Sequence, residues 1–242
     1  FIDYATNSEE AGDYILMNDI VLSDYTPLST DLIDSLDGNG FTIHINSFRQ
    51  NTESSTLRLA LFDTVTSNTT LRNVRVNIYN GGQIAVNIRQ FTDIQIAGFA
   101  ITNEGVIYNC EVVSYYDENY QISRNTGNSG LVVKYTRGAN TDYIALSYSS
   151  NVNSVVSGFV IENNSSIMNS RVGGESVMHV VDIEGVNYLQ SQSLGVFYLE
   201  GQGEVSGFVN QNAGYISASF VKNAQIDNIM EYDGSITAGF VV

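Results

Sequence analysis

The chain has 242 residues and a formal net charge of −16, from 26 acidic residues against ten Lys and Arg. That length can bury a large core in one elongated domain or two small ones. A protein that tracks phosphates needs a basic stripe, so nucleic acid is excluded as an expected partner. The acidic balance favours solubility instead.

In chain order, the first elements are short runs rich in Val, Ile, Tyr, Phe and Thr, separated by Asn, Gly, Asp and Ser, which is a strand-and-turn pattern. Tyr14–Leu22 reads YILMNDIVL. A loop through Pro27, the single proline, leads to a short strand near Leu32–Leu36. Asp37-Gly38-Asn39-Gly40 then precedes FTIHI (Phe41–Ile45) and supplies residues that tolerate positive φ. Alone it reads as a hairpin turn. His44 lies between two Ile at two-residue spacing and is expected to be structural. No stretch contains the roughly 18 uninterrupted apolar residues of a membrane helix, so no membrane span is expected in this segment. Cys110 is the only cysteine. It excludes an internal disulfide, leaves the redox compartment open and is expected to be buried.

One stretch occurs three times: IAGFAITNEGVIYNCEV (96–112), VSGFVIENNSSIMNSRV (156–172) and VSGFVNQNAGYISASFV (205–221). The copies share Gly98, Gly158 and Gly207, followed by Phe99, Phe159 and Phe208. They also share Asn103, Asn163 and Asn212, then Ile107, Ile167 and Ile216, then Val112, Val172 and Val221. Gly239-Phe240 begins a further copy. Ala60–Val65 with Thr69–Val76 follows a similar rhythm as a degenerate member, and weaker echoes begin at Gly130 and Gly195. Repetition of this kind indicates one structural unit stacked on itself.

Gly98, Gly158, Gly207 and Gly239 follow no constant period, and each gap is shorter than the one before. Coils of about 20–25 residues fit these gaps as one to three turns each, with insertions carried as loops. Stacking at roughly 4.8 Å would pair the backbones and bring like residues into columns, interrupted where the copies are not adjacent. Phe99, Phe159 and Phe208 are expected in one column. Asn103, Asn163 and Asn212 are expected at a corner, in left-handed geometry, with amides bonded to the next coil. Gly105 and Gly214 suit the same corner, with Ser165 in the middle copy.

The phrase from Gly98 to Val112, with Asn109-Cys110, resembles the GLUG motif of large bacterial surface proteins. Gly158 to Val172 keeps the Asn169-Ser170 pair, while the third copy has Ala218 where Asn is expected. Asn18–Ser23 and Asp37–Ile43 are similar to the entry coils that precede such repeats. The resemblance covers about half of the chain. It implies a right-handed parallel β-helix, secreted or surface-displayed in adhesive or stalk-like proteins, and it implies no catalytic residues.

An enzyme reading rests on few residues. Asn140-Thr141-Asp142 matches the first acidic motif of polygalacturonases, without its companions. Asp182 and Glu184, with His179 nearby, are the best acid–base candidates, since glycosidic cleavage uses two carboxyl groups across a groove. An exposed polar face of a coil is the competing reading. One Cys and two distant His do not make a zinc site. Asp31, Asp34 and Asp37 offer carboxylates near a turn, which keeps calcium open beside solvated loop charges. Tyr115, Tyr116, Tyr120, Tyr135, Tyr143 and Tyr148 crowd the middle third, either as a sugar-binding face or as ordinary strand filling. The Asn-X-Ser/Thr matches at Asn68, Asn163 and Asn164 are expected by chance in so Asn-rich a chain.

The expectation is therefore an all-β, right-handed parallel β-helix occupying residues 1–242, with entry coils over 1–50 and repeat coils over 57–242. Roughly ten coils would span about 45–50 Å. The chain opens at Phe1 without a signal-peptide pattern and stops inside a repeat, which fits a piece or processed part of something longer. The expected role is a non-enzymatic, extracellular structural or adhesive element, of the kind that forms a self-assembling filament or stalk. Its expected partners are further copies of itself, through open helix ends, or a surface glycan. The alternatives are a phage tailspike-like or carbohydrate-active β-helix and a carbohydrate-binding module.

Overall fold

The computed structural model describes residues 10–46, 48–49, 54–78, 83–86, 93–114, 129–135, 153–174, 176–183, 186–193, 197–201, 203–222, 224–228 and 236–241. They form strands, turns and bends, with no helix among them. All but two of these strands fall into five stacked sheets whose pairings are all parallel, an arrangement that fits a β-helix or solenoid.

Each full coil visits the five sheets in turn. Sheet I contains Gly12–Ile15, Ile33–Asp37, Thr70–Arg72, Val106–Tyr108, Ser166–Met168 and Tyr215–Ser217. Sheet II contains Ile20–Leu22, Thr42–Ile45, Arg75–Ile78, Glu111–Ser114, Arg171–Gly174 and Phe220–Lys222. Sheet III, from Gln83–Val86, Ser129–Tyr135, Phe197–Gly201 and Ala224–Asn228, begins later in the chain. Sheet IV holds Thr56–Leu59, Asp93–Ala97, Asn153–Ser157, Glu204–Ser206 and Ile236–Ala238. Sheet V holds Leu28–Ser29, Phe62–Val65, Ala100–Asn103, Val160–Asn163 and Val209–Asn212, with Val241 bridged to Val209.

The three repeats are neighbouring coils, which corrects the expected coil size. Asn103 pairs with Asn163 and Asn163 with Asn212, so each of the two long gaps is a single turn. Sheets I and II have six strands each. Six coils at about 4.8 Å per step place the first and last about 24 Å apart, half the expected rod. The columns are accordingly uninterrupted. The degenerate member at 60–76 is the coil before the first repeat, with Leu71 opposite Ile107 and Val76 opposite Val112. The echo at Gly130 lies in sheet III, where Ser129–Val132 pairs with Phe197–Glu200. Gly195 lies outside the described residues.

Parallel stacking explains why like residues recur. Leu36, Leu71, Ile107 and Ile167 face the core one above another and are fully buried. Val76, Val112 and Val172 form a second such column, next to Ile43. Phe99, Phe159, Phe208 and Phe240 stack with ring centroids 4.8 Å apart at each step, and Phe62 meets Phe99 edge-on at 5.7 Å. The Asp-Gly-Asn-Gly stretch is a coil corner, not a hairpin. Ile33–Asp37 and Thr42–Ile45 belong to different sheets, and Asn39 and Gly40 take φ of 50° and 81° between them.

The one antiparallel pairing among the described residues joins Ser176–Ile183 to Val186–Ser193. This hairpin interrupts the coil between sheets II and III. Its two strands pair with no other strand among the described residues.

Candidate functional site

The corners are built from side chains that bond along the stack. At the corner between sheets V and I, the Asn103 amide donates to Asn163 Oδ1 at 2.7 Å, and Asn163 donates to Asn212 Oδ1 at 2.7 Å. Asn103 and Asn163 are fully buried, so these bonds satisfy groups that would be costly to leave unpaired. Burial of Asn163 also removes the Asn163 sequon as a glycosylation site. In the two preceding coils, Thr30, Thr66 and Thr69 fill this corner with hydroxyl contacts of 2.7–3.3 Å.

A second ladder runs along the corner between sheets I and II, and left-handed geometry belongs there. Asn73, Asn109 and Asn169 have φ of 54°, 52° and 51°, and Ala218 continues the column at 47°. Asn103, Asn163 and Asn212 do not adopt positive φ, contrary to expectation. Asn169 donates to Asn109 Oδ1 at 2.9 Å, Asn109 to Asn73 Oδ1 at 2.7 Å, and Asn73 to Asp37 Oδ1 at 3.0 Å. An ionised carboxylate only accepts, so Asp37 sets the direction of the whole ladder. Hydrogen bonding from Asn73, joined by the Asn39 N–H and the Arg72 guanidinium, holds the Asp37 carboxyl below its usual range. Asp37 is therefore committed to the corner, while Asp31 and Asp34 are exposed. No group of three or more metal-ligating side chains occurs among the described residues.

Beside this ladder, Cys110, Ser170 and Ser219 form a column of small side chains. The Cys110 N–H donates to Ser170 Oγ and the Ser170 N–H to Ser219 Oγ, each at 3.1 Å. Burial pushes the Cys110 thiol up to about 12, so it stays protonated and weakly nucleophilic at neutral pH. Alkylation by iodoacetamide at pH 8 is expected to be at least about 100-fold slower in folded than in urea-unfolded protein, as read by mass spectrometry. Comparable rates would show that the column opens readily. His44 is also buried, with the Asn77 amide nitrogen 3.2 Å from its Nδ1, which fits a structural side chain.

Among the three coils that begin at Thr56, Asp93 and Asn153, length variation is confined to one arc. From sheet IV round through V and I to the end of II, successive coils run Thr56–Ile78, Asp93–Ser114 and Asn153–Gly174, which differ in length by no more than a single residue. The return from II to IV, through sheet III, runs over 79–92, 115–152 and 175–203 in those coils, and both later returns are at least twice as long as the first. The register of sheets I, II, IV and V is thus kept while the opposite arc grows. On the constant arc's outer surface, Glu111 sits between Arg75 at 3.5 Å and Arg171 at 2.9 Å, a cross-strand charge column over three coils.

In sequence, the predicted contact and acid–base residues all fall between sheets II and IV, in the stretches that vary in length. Tyr135 ends the sheet III strand Ser129–Tyr135, opposite Val86. Tyr115, Tyr116, Tyr120, Tyr143 and Tyr148 lie outside the described residues, as does Asn140-Thr141-Asp142. His179 and Asp182 occupy the hairpin strand, opposite Gln190 and Asn187, and Glu184 lies outside the described residues. His179 and Asp182 thus sit on an insertion instead of a coil strand. In sheet III the strand Ser129–Tyr135 pairs directly with Phe197–Gly201, the strand that follows the hairpin in sequence.

No helix among the described residues is long and apolar enough to cross a membrane. No family model matches the chain, and neither a curated protein nor a solved structure matches it.

Proposed function

We propose that the chain is a non-enzymatic β-helical scaffold, right-handed and displayed outside the cell, that presents its variable arc to a surface glycan. The observation that supports this reading is the segregation described above. Packing, ladders and charge column lie on an arc of nearly fixed length, while the additional sequence falls between sheets II and IV, and Tyr115–Tyr148 belong to that sequence. A scaffold that must keep register while varying its contact surface places insertions this way, on one side of the stack. The GLUG-like phrases agree with an adhesive or stalk-like setting. Tyrosine offers a broad apolar face with a polar tip, which suits sugar stacking.

The test compares the intact chain with a variant lacking 176–193 and with the Tyr115→Ala/Tyr116→Ala double variant on a glycan array. Binding by the intact chain, reduced at least about 10-fold by one change with unaltered circular dichroism, supports the reading. Absence of glycan binding by the intact chain overturns it. Turnover of a polysaccharide that Asp182→Ala abolishes would replace it with the carbohydrate-active alternative.

A further inference from the structure

The corner between sheets I and II is longer in one coil than in the next. Asp37 pairs with Arg72 and Thr42 with Arg75, so residues 38–41 occupy the place that 73–74 fill one coil later. The Gly38 N–H bonds to Arg72 O as the Asn73 N–H bonds to Tyr108 O, which puts Gly38 in the Asn73 column. Phe41, like Val74, packs against the core. Asn39-Gly40 is therefore the additional pair, and it forms the tip of a tight turn. The Phe41 N–H closes that turn on Gly38 O at 2.9 Å, and φ of 50° and 81° at Asn39 and Gly40 are those of a type I′ turn.

Both residues of the tip are exposed. The Gly40 N–H makes no hydrogen bond among the described residues, and nothing lies within 4 Å of a Cβ placed on Gly40. Glycine here leaves the nitrogen uncrowded and its backbone free to rotate. The Asn39 side chain is held by one bond, from Nδ2 to Leu16 O at 3.2 Å. The left-handed asparagines of the ladder differ on each count. Asn109 and Asn169 are followed by the fully buried Cys110 and Ser170, whose N–H groups donate to Ser170 Oγ and Ser219 Oγ. Their own amides are bonded along the stack.

We infer that Asn39 is a site of self-modification, at which water replaces the side-chain amide through a cyclic imide formed with Gly40. The Gly40 nitrogen, once hydroxide has taken its proton, attacks Asn39 Cγ. The new N–Cγ bond closes a succinimide ring, and the side-chain nitrogen takes a proton from water and leaves as ammonia. Water then adds to either ring carbonyl. Opening at Cγ gives aspartate in a normal chain; opening at the backbone carbonyl gives isoaspartate, with the chain routed through the former side chain. The sum is asparagine and water to a carboxylic acid and ammonia, with nothing oxidised or reduced. Either product places a second carboxylate beside Asp37, at the foot of the ladder, and removes the bond to Leu16. This inference is independent of the glycan reading, since it involves neither the tyrosines nor the hairpin.

The test incubates the intact chain at neutral and mildly alkaline pH, then maps its peptides by mass spectrometry and reads isoaspartate by enzymatic methylation. Asn39 is expected to convert at least about 10-fold faster than Asn109, because a buried bond at Cys110 must open before the latter can react. The rate should rise with pH, and ion exchange should resolve a more acidic species. Asn80-Gly81, the other Asn-Gly pair in the sequence, lies outside the described residues and is followed on its own peptide. Asn39→Gln keeps an amide but would need a larger ring, so the isoaspartate signal of this peptide should vanish. Persistence of that signal in the variant overturns the inference. Equal rates at Asn39 and Asn109 overturn it too, as does an Asn39 that converts only after unfolding in urea. If the variant fails to fold, the rates in the unaltered chain decide alone.

Discussion

Phe159→Ala is expected to lower unfolding free energy by about 4–5 kcal/mol, near the upper end for removing a buried aromatic ring. The ring is fully buried and lies 4.8 Å from both Phe99 and Phe208, with interplanar angles of 19° and 3°. Alanine therefore removes the buried area, two ring contacts of about 0.5–1.5 kcal/mol each, and the filler of a space bounded by coils that are fixed in register. The neighbouring coils are held by their own sheets and cannot collapse into the gap. Urea unfolding followed by circular dichroism checks the value. A loss below about 2 kcal/mol would mean that the column does not carry the packing argued here. Phe159→Leu keeps most of the volume and is expected to lose about half as much.

The second large effect comes from a residue with no side chain. A Cβ added at Gly158 would sit 2.1 Å from the carbonyl oxygen of Gly207 and 3.0 Å from Val172 Cγ1. The obstructing atom is backbone, in a residue whose own N–H is bonded to Ala238 O of the next coil, so the coils must separate locally to admit a methyl group. Gly158→Ala is expected to cost at least about 3 kcal/mol, comparable with severe overpacking. Gly239 supplies an internal control, because nothing lies within 4 Å of a Cβ placed there. In dilute protein, Gly239→Ala should change stability by less than about 0.5 kcal/mol. Equal effects at the two positions would rule out the close inter-coil approach as the cause.

The columns were legible because a parallel stack repeats its demands at every level. Phe, Asn, Ile and Val recur at fixed offsets from Gly98, Gly158 and Gly207, and the structure stacks them at those offsets. Coil size was not legible. The long gap between Gly98 and Gly158 fits one coil with a large insertion as well as several short coils. The choice depends on pairing between residues far apart in sequence, such as Asn103 with Asn163. The left-handed column was assigned to the wrong asparagines. Asn103 and Asn109 are both corner residues in the repeat, and only backbone geometry separates the one that bends the chain from the one that bonds along the stack. The signal was present in Asn73, Asn109 and Asn169, which precede Val, Cys and Ser and recur as faithfully as the first set. The hairpin at 176–193 went unseen because its strands have the same β-rich composition as the coils.

The ladders also bear on how the molecule would respond to force. Backbone bonds between parallel strands, the asparagine amides and the charge column all run from coil to coil. Tension applied across the two ends would load every bond of a given layer together, and rupture would require a whole layer to part at once. Tension applied through a single strand at an edge would load those bonds one after another, as a zip is undone. The same contacts would therefore make the stack stiff along its length and easy to peel strand by strand.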